Sequence, residues 1–121
     1  MNRESKTIPT ERVTEIIEPQ LNIILTTDED DDRPVYISGN FNHWVTQDTN
    51  YEMERVGQGL YHYKFSEDFV YPEELLYKFT RGDWSEVEID KYGNRTENRS
   101  SKQTKGLRRE HVDKLRHTCL P

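Results

Sequence analysis

The sequence predicts an all-β fold, an antiparallel immunoglobulin-like β-sandwich of about seven strands behind a loose N-terminal arm. Three observations carry that prediction. Short runs rich in β-branched and aromatic residues recur at a spacing of about 8–12 residues. Gly, Asn and Pro turn signals separate them. Several of the runs alternate apolar with polar residues, the period of a half-buried strand. The 121 residues fit one such domain, expected over 20–117, with 1–19 as the arm and 118–121 as a tail.

Each element follows from its own residues. In the arm, Val13, Ile16 and Ile17 fall at helical spacing before Pro19, which stops a short helix. Leu21 to Thr27 is β-branched and reads as the first core strand. Asp28 to Pro34 follows as a solvated turn, because five consecutive acids repel one another and resist burial. Pro34 to Ser38 is the second strand, closed by Gly39-Asn40. Val45 to Asn50 is a polar loop, and Tyr51 to Val56 is a short strand. Leu60 to Phe65 alternates strictly and is a half-buried strand after the Gly57-Gln-Gly59 turn. Phe69 to Pro72 connects to the strand Glu74–Thr80, and Arg81-Gly-Asp83 turns the chain into Trp84–Ile89. Asp90 to Lys105 is polar, with a turn at Gly93-Asn94, and Leu107 to Leu115 is the last strand.

Composition then limits what such a domain does. Charged residues make up 33% and hydrophobic residues 31%, with mean hydropathy −1.07, so only a modest core can form. The 11% aromatic content argues for a folded chain, since disordered chains are poor in aromatics. A formal charge of −6 and a pI near 5.2 disfavour nucleic acid and anionic membrane, which need a basic footprint. The lone Cys119 forms no internal disulfide, and residues 1–20 hold no signal-peptide apolar run, so a cytoplasmic location is expected. The sequons at Asn94 and Asn98 and the Arg81-Gly-Asp83 tripeptide carry little weight in that setting.

Two tryptophans stand out in this polar chain. Trp44 ends Val35-Tyr-Ile-Ser-Gly-Asn-Phe-Asn-His-Trp44, and Trp84 ends Tyr77-Lys-Phe-Thr-Arg-Gly-Asp-Trp84. Each follows a strand and a turn, a position from which a large ring projects at the end of a sheet. The axial C–H groups of a glucose ring form an apolar patch that packs on an indole face. A lysine ammonium and side-chain amides then satisfy the hydroxyls, and Lys78 lies in the strand between.

In this order and spacing, the two motifs resemble the glycogen-binding module of the AMP-activated protein kinase beta subunit and the starch-binding modules of amylases and glucoamylases. The resemblance covers roughly residues 20 to 117. It implies that Trp44 and Trp84 stack on sugar rings and that Lys78 hydrogen-bonds sugar hydroxyls. It also implies that Asn98 supplies a polar contact to the glucan. The implied function is non-catalytic binding of an α-glucan such as glycogen, starch or a maltooligosaccharide, with no cofactor. A separately encoded glycan-active enzyme or kinase-type protein is the implied partner. Departures are Leu115, where many members carry a tryptophan, and the long charged stretch Asp90–Lys105.

Other chemistry finds less support. The run Asp28–Asp32 lacks the spaced ligands of a calcium loop. His43, His62, His111 and His117 form no pair at metal-ligand spacing with a third partner, so no metal is expected. Glu86 and Glu88 share a strand face as a glycosidase pair would, but accidental pairs are common among 23 acids, and no enzyme is expected. The alternative function is a protein-interaction or regulatory β-sandwich that has lost sugar binding. The placement of the tryptophans separates the two: open coplanar rings favour sugar, and buried or divergent rings favour a scaffold.

Overall fold

The computed structural model describes residues 19–115 apart from Asp30. The predicted helical stripe of the arm and the tail lie outside these residues. Among them are nine strands: β1 Leu21–Thr27, β2 Tyr36–Gly39, β3 Glu54–Gly57, β4 Leu60–Lys64, β5 Leu75–Thr80, β6 Glu88–Ile89, β7 Arg99–Ser101, β8 Gly106–Val112 and β9 Lys114–Leu115. Two short 3-10 turns, Thr49–Tyr51 and Trp84–Glu86, interrupt them. The fold is an all-β sandwich. One sheet has the order β3-β4-β1-β8 and the other β2-β5-β7, with β6-β9 as a small third pair.

Alternation places the core. In β1, Leu21, Ile23 and Leu25 are fully buried, and in β5 so are Tyr77 and Phe79, with Leu75 nearly so. These inner faces meet Ile37 of β2 and Tyr61 of β4 in one cluster. A layer of partly buried rings (Phe41, Tyr51, Tyr63, Phe69 and Tyr71) packs on it around Phe65. Burying rings of this size supplies most of what a chain so polar can gain from water exclusion.

The pairing departs from the sequence expectation at one place. β1 is antiparallel to β4 but parallel to β8, with Leu21 opposite Gly106 and Thr27 opposite Val112. Alternation has the same period in either direction, so the pattern of β8 carries no signal of strand sense.

Several boundaries differ for identifiable reasons. Tyr51 sits in a 3-10 turn rather than a strand, because Asp48 caps that turn by accepting from the Asn50 amide. β7 lies inside the stretch read as polar loop; its Arg99 is partly buried because it bonds Glu88 and Glu110. The last predicted strand breaks at Asp113 into β8 and β9.

The acidic turn is not simply solvated. Arg81 leaves the end of β5 with a side chain at 0% exposure, and Glu29 and Asp31 close on it at 3.2 and 3.7 Å. Its guanidinium also donates to the Tyr61 hydroxyl and to the Asp31 carbonyl. A buried cation demands paired acceptors, and the acidic run supplies them. Arg33 grips Asp31 through two nitrogens and also reaches Glu86. Those contacts, the Arg33 hydrogen bond above all, hold the Asp31 carboxyl down at about 2.

Candidate functional site

The chain reaches Trp44 through a turn that its own side chains build. After β2, the Asn42 carboxamide accepts from the Gly39 amide at 2.9 Å and donates to the Ile37 carbonyl at 3.2 Å. The Trp44 amide then closes back on the Gly39 carbonyl at 3.0 Å. His43 and Trp44 take φ of 57° and 58°, the left-handed region that side chains adopt only when local hydrogen bonds hold them there. Gly39 is required for a different reason. A Cβ there would lie 2.4 Å from both the Leu76 carbonyl oxygen and the Phe41 ring.

Beyond Trp44 the loop crosses toward the far end of β5. The Thr80 hydroxyl donates to the Thr46 carbonyl at 2.8 Å, and the Thr46 hydroxyl donates to the Gly82 carbonyl at 3.1 Å. Gly82, at φ 120°, then leads to Trp84, which opens the second 3-10 turn. Two separate loops are thereby stitched together at Thr46 and Gly82. The consequence is a pair: the Trp44 and Trp84 rings lie 6.4 Å apart at centroids, with planes inclined by 39°. Both are half-buried. They are neither coplanar nor turned apart, and they form a shallow angled surface.

Lys78 points outward from β5 opposite Ser38. Its ammonium donates to the carbonyl and, at 3.2 Å, to the hydroxyl of Thr96. Burial, the largest influence, pushes this ammonium below the usual lysine range; Glu88 opposes the shift, and Arg99 and Arg95 add to it. The Ser38 hydroxyl is fully buried and, among the described residues, has no hydrogen-bond partner.

The loop carrying Thr96 is held at both ends. Asp90 folds it by accepting from the Tyr92 and Asn94 amides, with Gly93 at φ 88° as the predicted turn. Arg95 donates to the Trp84 carbonyl at 3.0 Å, so this loop also braces the second tryptophan. Asn98 follows, exposed, two residues after the Lys78 contact.

Trp44 and Trp84 are thus in direct ring contact, while Lys78 and Asn98 belong to the strand and loop beside them. Sequence reasoning missed the connectors Asn42, Thr46, Arg95 and Thr96. The side chains of Asn42, Thr46 and Arg95 bond backbone atoms and Thr96 accepts from Lys78, and nothing in their local pattern marks them. The carboxylate pair dissolves: Glu86 bonds Arg33, whereas Glu88, 1% exposed, bonds Arg99 and the Phe79 amide. Sequence reading also missed that Asp28, His111 and Asp113 converge, with ligand atoms all within 4.8 Å of one another.

Among the described residues, no helix is long and apolar enough to cross a membrane. The chain is similar to an alpha-amylase from Niallia circulans, with 34% identity over 67 residues. The match takes in 55% of this chain but only 5% of the amylase, so the chain spans a small fraction of that relative's length. No family model and no solved structure matches the chain.

Proposed function

We infer that this domain binds α-glucan chains without acting on them, using the angled indole pair as its platform. The observation that carries the inference is the contact between Trp44 and Trp84, two half-open rings brought together by loops distant in sequence. Apolar side chains that served only packing would join the core cluster, and neither indole belongs to it. A 39° inclination suits a curved chain better than a flat one. Successive rings of an α-1,4-linked glucan turn against each other, whereas those of a β-1,4-linked glucan lie in a ribbon.

Polar groups beside the platform supply orientation. An ammonium has three N–H donors, and Thr96 takes two of those of Lys78, leaving one for a sugar hydroxyl. Asn98, exposed on the same loop, offers a carboxamide that both donates and accepts. A shallow site of this kind binds with a dissociation constant on the order of micromolar to millimolar. Similarity to a small part of an amylase fits a module that accompanies glucan chemistry, and a separately encoded glucan-active enzyme is the partner this reading expects.

Isothermal titration with maltoheptaose or β-cyclodextrin tests the reading directly. Saturable heat is expected, with cellohexaose binding more weakly. A folded sample giving no heat at millimolar sugar would remove it.

A further inference from the structure

We propose that Asp28, His111 and Asp113 form a zinc-type divalent cation site clamping the parallel β1–β8 edge. Asp28 directly follows β1, His111 lies in β8, and Asp113 is the bend between β8 and β9. Three side chains from separate elements therefore meet at the parallel β1–β8 junction.

The His111 ring is already set for ligation. Its Nδ1 lies 2.8 Å from the Thr26 hydroxyl, which in turn donates to the Glu110 carbonyl at 3.4 Å. In the tautomer that carries its proton on Nδ1, that nitrogen donates to Thr26 and Nε2 presents a lone pair. A hydrogen bond at one ring nitrogen that fixes the other for a metal is the usual outer support of a ligating imidazole. Nε2 faces Asp28 and Asp113 carboxylate oxygens, each at 3.4 Å. Three electron-rich ligand atoms thus converge.

Two of the three ligand separations fit one ion class, the Asp28-to-Asp113 edge lying within 4.8 Å. Charge-assisted N–H···O bonds run about 2.7–2.9 Å, shorter than either contact here. Zinc bonds of about 2.0–2.2 Å to nitrogen and oxygen give a tetrahedral edge of about 3.3–3.6 Å, which the two 3.4 Å separations match. An octahedron with bonds of the same length would need edges nearer 3.0 Å. The three side chains are 33–64% exposed, so water completes the fourth position.

The test uses the full chain, stripped of metal and titrated with zinc chloride by calorimetry, with melting temperature as a second readout. One equivalent should bind and raise the melting temperature. His111→Gln and Asp113→Asn should each weaken binding at least tenfold while keeping the wild-type circular dichroism spectrum. Cys119→Ser and His117→Gln should bind as wild type does. The proposal is overturned if no zinc binds at millimolar concentration or if His111→Gln binds normally. It is equally overturned if Cys119→Ser alone abolishes binding.

Discussion

Two of the groups of aromatic rings in this domain are held in opposite ways. Phe41, Tyr51, Phe65, Phe69 and Tyr71 hold one another, ring on ring, with centroids 4.7–6.4 Å apart across a web of contacts. Phe65 at their centre is 1% exposed. Trp44 and Trp84, in contrast, touch each other, and among the described residues no ring contact links them to that web. Their positions come from hydrogen bonds between side chains and backbone at Asn42, Thr46, Thr80, Gly82 and Arg95. One group is positioned by what it excludes from water, the other by what its loops bond. Rings of the second kind stay half-exposed, and exposed ring surface is what a ligand needs.

Substitutions can break or sharpen that contrast. The largest effect should come from Phe65→Ala, costing about 3–5 kcal/mol of stability through the cavity it leaves. At a temperature where this variant is still folded, its glucan affinity should be that of the wild type, read by calorimetry. A large affinity loss there would erase the distinction between the two groups. Trp44→Ala and Trp84→Ala should do the reverse. Each is expected to weaken maltoheptaose binding at least tenfold, about 1.4 kcal/mol. Thermal denaturation should show a smaller stability change than for Phe65→Ala. Equal stability losses would place the tryptophans with the packing rings.

Lys78→Met should weaken glucan binding by several fold, about 1 kcal/mol for one hydrogen bond. Thr96→Val should show whether the brace matters, with a smaller affinity loss in the same titration. The smallest effect concerns the charged turn behind β5. Asp31 has its carboxyl lowered from 3.8 to about 2, so its stabilising contribution is complete above about pH 3.8 and disappears as pH falls through about 2. Acid titration of Asp31→Asn should therefore lose that part of the wild-type slope while differing little in slope near neutral pH. The carboxylate is partly open to solvent, so the difference should stay under about 1 kcal/mol.

Much of this architecture is legible in the residues. β1 follows the predicted Leu21–Thr27 to the residue, and β4 and β5 fall within one residue of expectation, because runs rich in β-branched, aromatic and leucine residues are bounded by turn residues. β7 was hidden because Arg-Ser-Ser has no apolar signature; its arginine is held by carboxylates 11 residues away on either side in sequence. The parallel sense of β8 was hidden because strand direction leaves no mark on period. At the candidate site, the tryptophans were visible as large residues after strand ends and Lys78 as a charge within a strand. Their 39° inclination was not, since it depends on a threonine hydroxyl in one loop finding a glycine carbonyl in another. The convergence of Asp28 and His111 was hidden for the same reason that hid strand direction, because it needs β1 and β8 side by side.

Gly39 ties the fates of the two aromatic groups together. A methyl group at that position would strike the ring of Phe41 on one side and a β5 carbonyl on the other, while the same residue receives the hydrogen bond that seats Trp44. Random mutagenesis should consequently find most positions failing in one respect, folding or recognition. At this glycine the two phenotypes should arrive in the same clone.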